Sequence, residues 1–255
     1  MNNRITLSPR DLVTLLCCIT IVLLNLGAIG HSGRMKAKEL MCRSNLNQWS
    51  NIWYMFTNGN DHKFLKDLNW IGNLSAYYKD LKLFLCPSAT KRGSFTNIRG
   101  SLLGNKFEAW ESAYDFGDGT AKTFLGSYGL NYWCTHSTGG GRFNGYLWKT
   151  PYIKGVANAP LFSDWAAAGG APLYTDNPPE WDGQLYVSDP QDVDEMKSVC
   201  IDRHNGGVNV LFADFSVRKT GLKELWQIPW HRSWNPYNDP LPIWPEWMQK
   251  YKEPE

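Results

Sequence analysis

The sequence has little net charge to offer a charged partner. Its 255 residues hold 26 Lys and Arg against 24 Asp and Glu, a formal balance of +2. No basic surplus points to nucleic acid, and a self-repelling acidic chain is excluded. Mean hydropathy is −0.41, which excludes a polytopic membrane protein. No internal repeat is present. There is no Gly-x-Ser-x-Gly elbow and no Cys–His nucleophile signature with supporting context. His31, His62, His136 and His231 stand scattered, without metal-ligand spacing. What the chain does have is 43% apolar residues, enough for a core, and 13 Trp, 12 Tyr and 11 Phe. With 23 Gly and 14 Pro, these suit a turn-rich body better than a helical bundle.

The apolar residues are unevenly spread. Residues 12–30, LVTLLCCITIVLLNLGAIG, contain no charge. Nineteen helical residues span about 28 Å, close to the thickness of a bilayer's hydrocarbon. A cleaved secretory signal and a buried core helix are alternatives, but the first usually has a shorter apolar region and a small-x-small cleavage site. A single membrane helix is therefore expected, with Cys17 and Cys18 as small apolar residues within it. Arg34, Lys36, Lys38 and Arg43 outnumber Arg4 and Arg10, which by charge alone places the body in the cytoplasm. Four further cysteines and the Trp/Tyr/Gly-rich body favour export instead.

Beyond the apolar run, Met35, Leu40, Cys42, Leu46, Trp49, Ile52, Trp53 and Phe56 recur at steps suited to one helix face. Thr57-Asn58-Gly59-Asn60 should end the helix. The expected organisation is a basic leader over 1–11, a transmembrane or assembly helix over 12–30 and an amphipathic extension over 31–56. A globular head over 57–235 and a Pro/Trp-rich arm over 236–255 follow. The clearest strand signal lies in 200–219. Asn205-Gly206-Gly207 makes a turn, Val208, Val210 and Phe212 alternate with Asn209 and Leu211, and Asp214 sits at a reversal. The alternation predicts that Val208, Val210 and Phe212 face the core beneath the helix. The predicted fold is α+β, a long N-terminal helix packed on an antiparallel sheet.

The chemistry-bearing residues admit plain readings. His204 and Asp214 could pair as base and orienting acid, but up to nine extended residues separate them. Separate structural roles are expected, His204 bracing the turn and Asp214 accepting backbone N–H groups. Asp115 and Asp118, in Asp115-Phe116-Gly117-Asp118-Gly119-Thr120, could hold calcium, though no full loop signature is present and an acidic turn is the plainer account. No other cofactor is expected. Exposed indoles would suit a glycan, against the plainer reading that the Trp rings are core. Of the three pairings open to Cys42, Cys86, Cys134 and Cys200, Cys42–Cys86 and Cys134–Cys200 are expected as disulfides.

Several motifs appear in a recognisable order. Cys42-Arg43-Ser44-Asn45-Leu46 resembles a Cys-x-x-Asn-Leu element, Leu85-Cys86-Pro87-Ser88 a Cys-Pro-Ser, and Ser127-Tyr128-Gly129-Leu130-Asn131 a Ser-Tyr-Gly-x-Asn. His204 is followed by nine residues and Asp214, then by Phe215; Trp230-His231-Arg232 comes later. In this order they resemble the bacterial type IV pilin-like, pseudopilin-like proteins of the prepilin-type H-x9-DG group. That resemblance implies a non-enzymatic, membrane-anchored subunit of a type IV pilus or type II secretion-like assembly. Its head would lie outside the bacterial inner membrane, and its partners would be like subunits and lipid. An anchored binding module for glycans or an envelope protein is the alternative. The resemblance also implies cleavage and methylation between Thr6 and Leu7, and a carboxylate for assembly at Asp11. Thr6 stands where the family cleaves after Gly, so efficient cleavage is not expected.

Overall fold

A computed structural model describes residues 8–96, 100–116, 121–136, 144–184, 194–235 and 241–254, with residues 25–29 and 31 described by backbone alone. Its longest element is α1, Pro9–Gly59, 51 residues. Ser8 begins it with a capping box: Ser8 Oγ accepts from the Asp11 N–H, and Asp11 accepts from the Ser8 N–H. Thr14 and Thr20 turn their hydroxyls back onto the Arg10 and Leu16 carbonyls, so neither leaves an unpaired donor on the apolar stretch. The far half of α1 buries Cys42, Leu46, Trp49, Ile52 and Trp53, a single helical face. Glu39 faces inward there, and Leu40 is exposed. At about 2 kcal/mol for each large apolar side chain, this face fixes the helix firmly to the head.

A short helix α2, Trp70–Asn73, follows. Among the described residues, ten strands build the head. The first sheet contains β1 (Lys91–Arg92), β2 (Phe95–Thr96), β3 (Leu102–Leu103), β4 (Glu108–Asp115) and β5 (Ala121–Gly126), in the order β1-β4-β3-β2 with β5 also paired to β4. The second contains β6 (Tyr128–Asn131), β7 (Pro160–Asp164), β8 (Gly169–Gly170), β9 (Gly207–Phe212) and β10 (Val217–Gly221), in the order β10-β9-β7-β6-β8. β1 runs parallel to β4 and β8 parallel to β6; the other pairs are antiparallel. α1 packs on β9 and β10.

Aromatic rings fill the joint between helix and head. Trp49 meets Trp70, Phe84 and Phe162 with centroids 5.1–5.3 Å apart, and its indole N–H donates to the Leu83 carbonyl at 3.0 Å. The C-terminal arm lies over the body: Trp247 donates to the Pro179 carbonyl at 2.7 Å, the Tyr251 hydroxyl to Asp202 at 2.7 Å, and Trp244 rests edge-on against Trp226.

Three expectations are corrected. The head is not an antiparallel pilin-like sheet; it has two sheets, each with a parallel pair. No helix among the described residues is long and apolar enough to cross a membrane, which overturns the transmembrane helix and the single-pass inner-membrane location. Finally, β9 has no solvent face, since all six of its residues are buried. The Asn209 amide donates to the Glu39 carbonyl of α1, so alternation turns Val208, Val210 and Phe212 away from the helix.

Candidate buried Cys–Cys–Asp–His site

Four residues far apart in the sequence converge at one place. Cys42 comes from the middle of α1. Cys86 follows the single-turn 3-10 helix Leu81–Phe84. Asp164 ends β7, and His204 precedes the turn into β9. One ligand-type atom from each lies within 4.8 Å of every other, and all four residues are buried. The Cys42 thiol donates toward both Asp164 oxygens at 3.5 Å. His204 Nε2 lies 3.1 Å from Asp164 Oδ2 and 3.5 Å from Cys86 Sγ.

The surrounding motif residues hold this group in place. Asn45 donates to the Leu85 carbonyl at 3.0 Å, positioning the chain just before Cys86. Ser127 Oγ donates to the Ala89 carbonyl at 2.6 Å and accepts from the Cys86 N–H at 3.1 Å. The Tyr128 hydroxyl donates to Cys42 Sγ at 3.4 Å. A Cβ on Gly129 would stand 2.7 Å from the Trp165 ring, so only glycine fits. The Asn131 amide donates to the Pro160 and Trp230 carbonyls, both at 2.8 Å, and ties the strand to the C-terminal segment.

Charge at the site is balanced by Arg203, which is 0% exposed. Its guanidinium reaches Asp164 Oδ1 at 3.2 Å and donates to the Ser127 and Asn105 carbonyls at 2.6 and 2.7 Å. The Asn209 N–H donates to Asp164 Oδ2 at 2.9 Å. Burial pushes the Asp164 carboxyl up; the charge and hydrogen bond of His204, with Arg203 and the Asn209 N–H, overcome that and hold it at about 2. Burial pushes His204 down, and Asp164 and Cys86 together raise it to about 10. Burial, with Cys86 and Asp164 beside it, drives the Cys42 thiol up.

The four residues do not form a nucleophile relay. Such a relay uses both ring nitrogens, one toward the nucleophile and the other toward the orienting acid. Here the same Nε2 faces Cys86 and Asp164, while Nδ1 meets no hydrogen-bond partner among the described residues. The Nε2–H of His204 is thus shared between the Asp164 carboxylate and the Cys86 sulfur.

The remaining predicted residues lie elsewhere. The Asp214 carboxylate accepts from the Ser216 N–H at 2.9 Å and from its hydroxyl at 2.7 Å, within its own turn. The His204 backbone N–H does meet the Gly207 carbonyl across the turn at 3.1 Å, but its ring goes to the buried group. Asp11 serves the helix cap. All six cysteines are free thiols: Cys42 and Cys86 are neighbours without a bridge, and Cys134 donates to the Pro160 carbonyl instead of meeting Cys200. Asp115 ends β4; Asp118, Thr6 and Leu7 lie outside the described residues. Among the Trp rings Trp181 is largely exposed, at 57%, and most of the others are buried. A cleft of about 270 Å³ between the sheets is lined by Tyr114, Tyr132 and Glu195, among others, and by none of the four clustered residues.

Sequence reasoning missed Asp164 and Arg203. The signal for the first is a lone carboxylate closing the apolar run Pro160-Leu161-Phe162-Ser163; for the second it is an Arg adjoining the motif histidine. No protein-family model, no curated protein and no solved structure matches the chain.

Proposed function

We propose that the protein is a non-enzymatic structural subunit that associates with further copies of itself through the first part of α1. The observation that carries this reading is the exposure of residues 12–24. Leu12, Val13, Leu15, Leu16, Ile19, Ile21, Val22, Leu23 and Leu24 are each 48–69% exposed. At a helical step of about 100° these positions surround the axis, so one groove on one partner would leave most of them in water.

Energetics favour a bundle over a pair. Full enclosure of nine aliphatic side chains, already partly covered, is worth on the order of 10 kcal/mol. A two-helix contact covers about half of that, near the lower end of the roughly 4–15 kcal/mol cost of association, and leaves the other half of the apolar surface in water. Each further like helix covers more of the set, and neighbours on every side of a helix enclose it. The Ser8–Asp11 cap keeps the helix intact to its first turn.

Sedimentation of the full chain tests this reading. The parent protein is expected to sediment as a species of at least three chains at micromolar concentration. Leu16→Glu and Leu23→Glu, each placing a charge in the enclosed stripe, should reduce it to monomer with the head's circular dichroism unchanged. A monomeric parent at tens of micromolar would refute the proposal.

A further inference from the structure

We propose that Cys42, Cys86, Asp164 and His204 form a closed structural zinc site. The inference is independent of the assembly reading, since no residue of 12–24 takes part. Zinc bonds of about 2.0–2.3 Å place tetrahedral ligand atoms roughly 3.3–3.8 Å apart. The observed separations are 3.1 Å for His204 Nε2 to Asp164 Oδ2, 3.5 Å for His204 Nε2 to Cys86 Sγ, and 3.5 Å for Cys42 Sγ to either Asp164 oxygen. No ligand needs to cross the core to reach a common centre, because all four atoms lie within 4.8 Å of one another.

Donor chemistry selects the ion. Two sulfurs, one imidazole nitrogen and one carboxylate oxygen suit a borderline-soft divalent cation and not calcium or magnesium, which take oxygen. Charge closes as well. Two thiolates and a carboxylate are three negative charges; Zn²⁺ and the Arg203 guanidinium, 3.2 Å from Asp164, are three positive ones. A site shut off from water must be close to neutral. On metal entry the protons on the two sulfurs and the one on His204 Nε2 pass to solvent, and His204 binds through Nε2 with its remaining hydrogen on Nδ1.

The supporting contacts orient the ligands. Arg203 holds Asp164 Oδ1 and the Asn209 N–H holds Oδ2, fixing the carboxylate plane; the Tyr128 hydroxyl supports Cys42 Sγ. All four coordination positions come from the protein, so the ion has no open position for substrate and its work is to join α1, the Cys86 loop, β7 and the start of β9. A Cys42–Cys86 disulfide is the competing use of the same two sulfurs.

The full chain, expressed with zinc and purified without chelator, is expected to hold one zinc per chain by elemental mass spectrometry. Cobalt(II) in its place should give a thiolate-to-metal charge-transfer band. Chelation at neutral pH should lower the parent's melting temperature by roughly 10 °C, with recovery on adding zinc and not magnesium; this readout does not depend on any variant folding. Cys86→Ser should lose the metal, and His204→Cys should keep it. Zinc below a tenth of an equivalent in folded protein overturns the proposal, whether peptide mapping then shows a Cys42–Cys86 disulfide or free thiols indifferent to chelator.

Discussion

Replacing Arg203 by Met keeps the length of the side chain and removes its charge. The native guanidinium is 0% exposed and lies against Asp164 and the carbonyls of Ser127, Asn105 and Trp165. Breaking a buried ion pair from one side costs about 3–5 kcal/mol, because the other charge stays behind. The Ser127 and Asn105 carbonyls, bonded at 2.6 and 2.7 Å, would each lose a charge-assisted hydrogen bond at about 1–3 kcal/mol. Together the loss is about 5–11 kcal/mol, a large part of the roughly 5–15 kcal/mol that holds a domain folded. Urea unfolding at pH 7, followed by Trp fluorescence, should show Arg203→Met largely unfolded without denaturant or with a midpoint near zero. Arg203→Lys keeps the charge but cannot reach several acceptors at once, so its loss should be about half as large. A Met variant within about 1 kcal/mol of the parent would refute this account of the buried charge. So would a Lys variant as damaged as the Met variant, since charge would then not be the deciding factor.

Other expectations rest on separate features. Asp176 is 2% exposed, and burial raises its carboxyl from 3.8 to about 7. The native state therefore keeps a proton that the unfolded chain has lost between about pH 4 and 7, and stability falls as pH rises through that window. Asp176→Asn should gain up to about 4 kcal/mol on the parent at pH 7.5 and almost nothing at pH 4; a difference that does not vary with pH would refute this. Gly129→Ala drives its methyl to within 2.7 Å of Trp165 and 2.8 Å of the Ala167 carbonyl, and should lower stability by about 2–3 kcal/mol in urea titrations. Phe215 holds φ at 67°, a region that costs a non-glycine residue about 1–2 kcal/mol, while its ring packs edge-on against Tyr54 at 5.6 Å. Phe215→Gly loses the ring but relieves the backbone, so it should be less destabilising than Phe215→Ala; the reverse order would show that the backbone is unstrained.

The helical periodicity of 42–53 was legible because one apolar face packs on one sheet, and local sequence carries that signal directly. Asp214 was legible for the same reason: its partner is Ser216, two residues away. The buried site was not, because its residues lie far apart along the chain, Cys42 and Asp164 by 122 residues and Cys86 and His204 by 118. Spacing rules for metal ligands work only when a short loop brings them together. The alternation in β9 misled on direction. A strand covered on both faces buries polar Asn209 as completely as Val208, and the pattern alone cannot tell which face meets the helix. The two parallel pairs were hidden because β1 and β8 are two residues each, too short to show any period.

The nine-residue interval between His204 and Asp214 acquires a physical meaning from this layout. Asn205 and Gly206, both at positive φ, turn the chain into β9, whose six residues cover about 20 Å. Ala213 and Asp214 then lead into the reversal that starts β10. Each end of this unit is fastened to α1. At one end the His204 ring joins the cluster containing Cys42, and Asn209 donates to Glu39 nearby. At the other, Ser50 Oγ donates to the Phe215 carbonyl at 2.7 Å. Cys42 and Ser50 are about 12 Å apart along the helix, so helix and strand run the same way with contacts at both ends. Inserting or removing a residue in the interval would release one end and, by the two-residue period of the strand, turn Asn209 from Glu39. The interval thus sets the length of a two-point clamp on α1. At the second point the backbone is left-handed, with φ 67° at Phe215, a conformation that glycine adopts without steric cost.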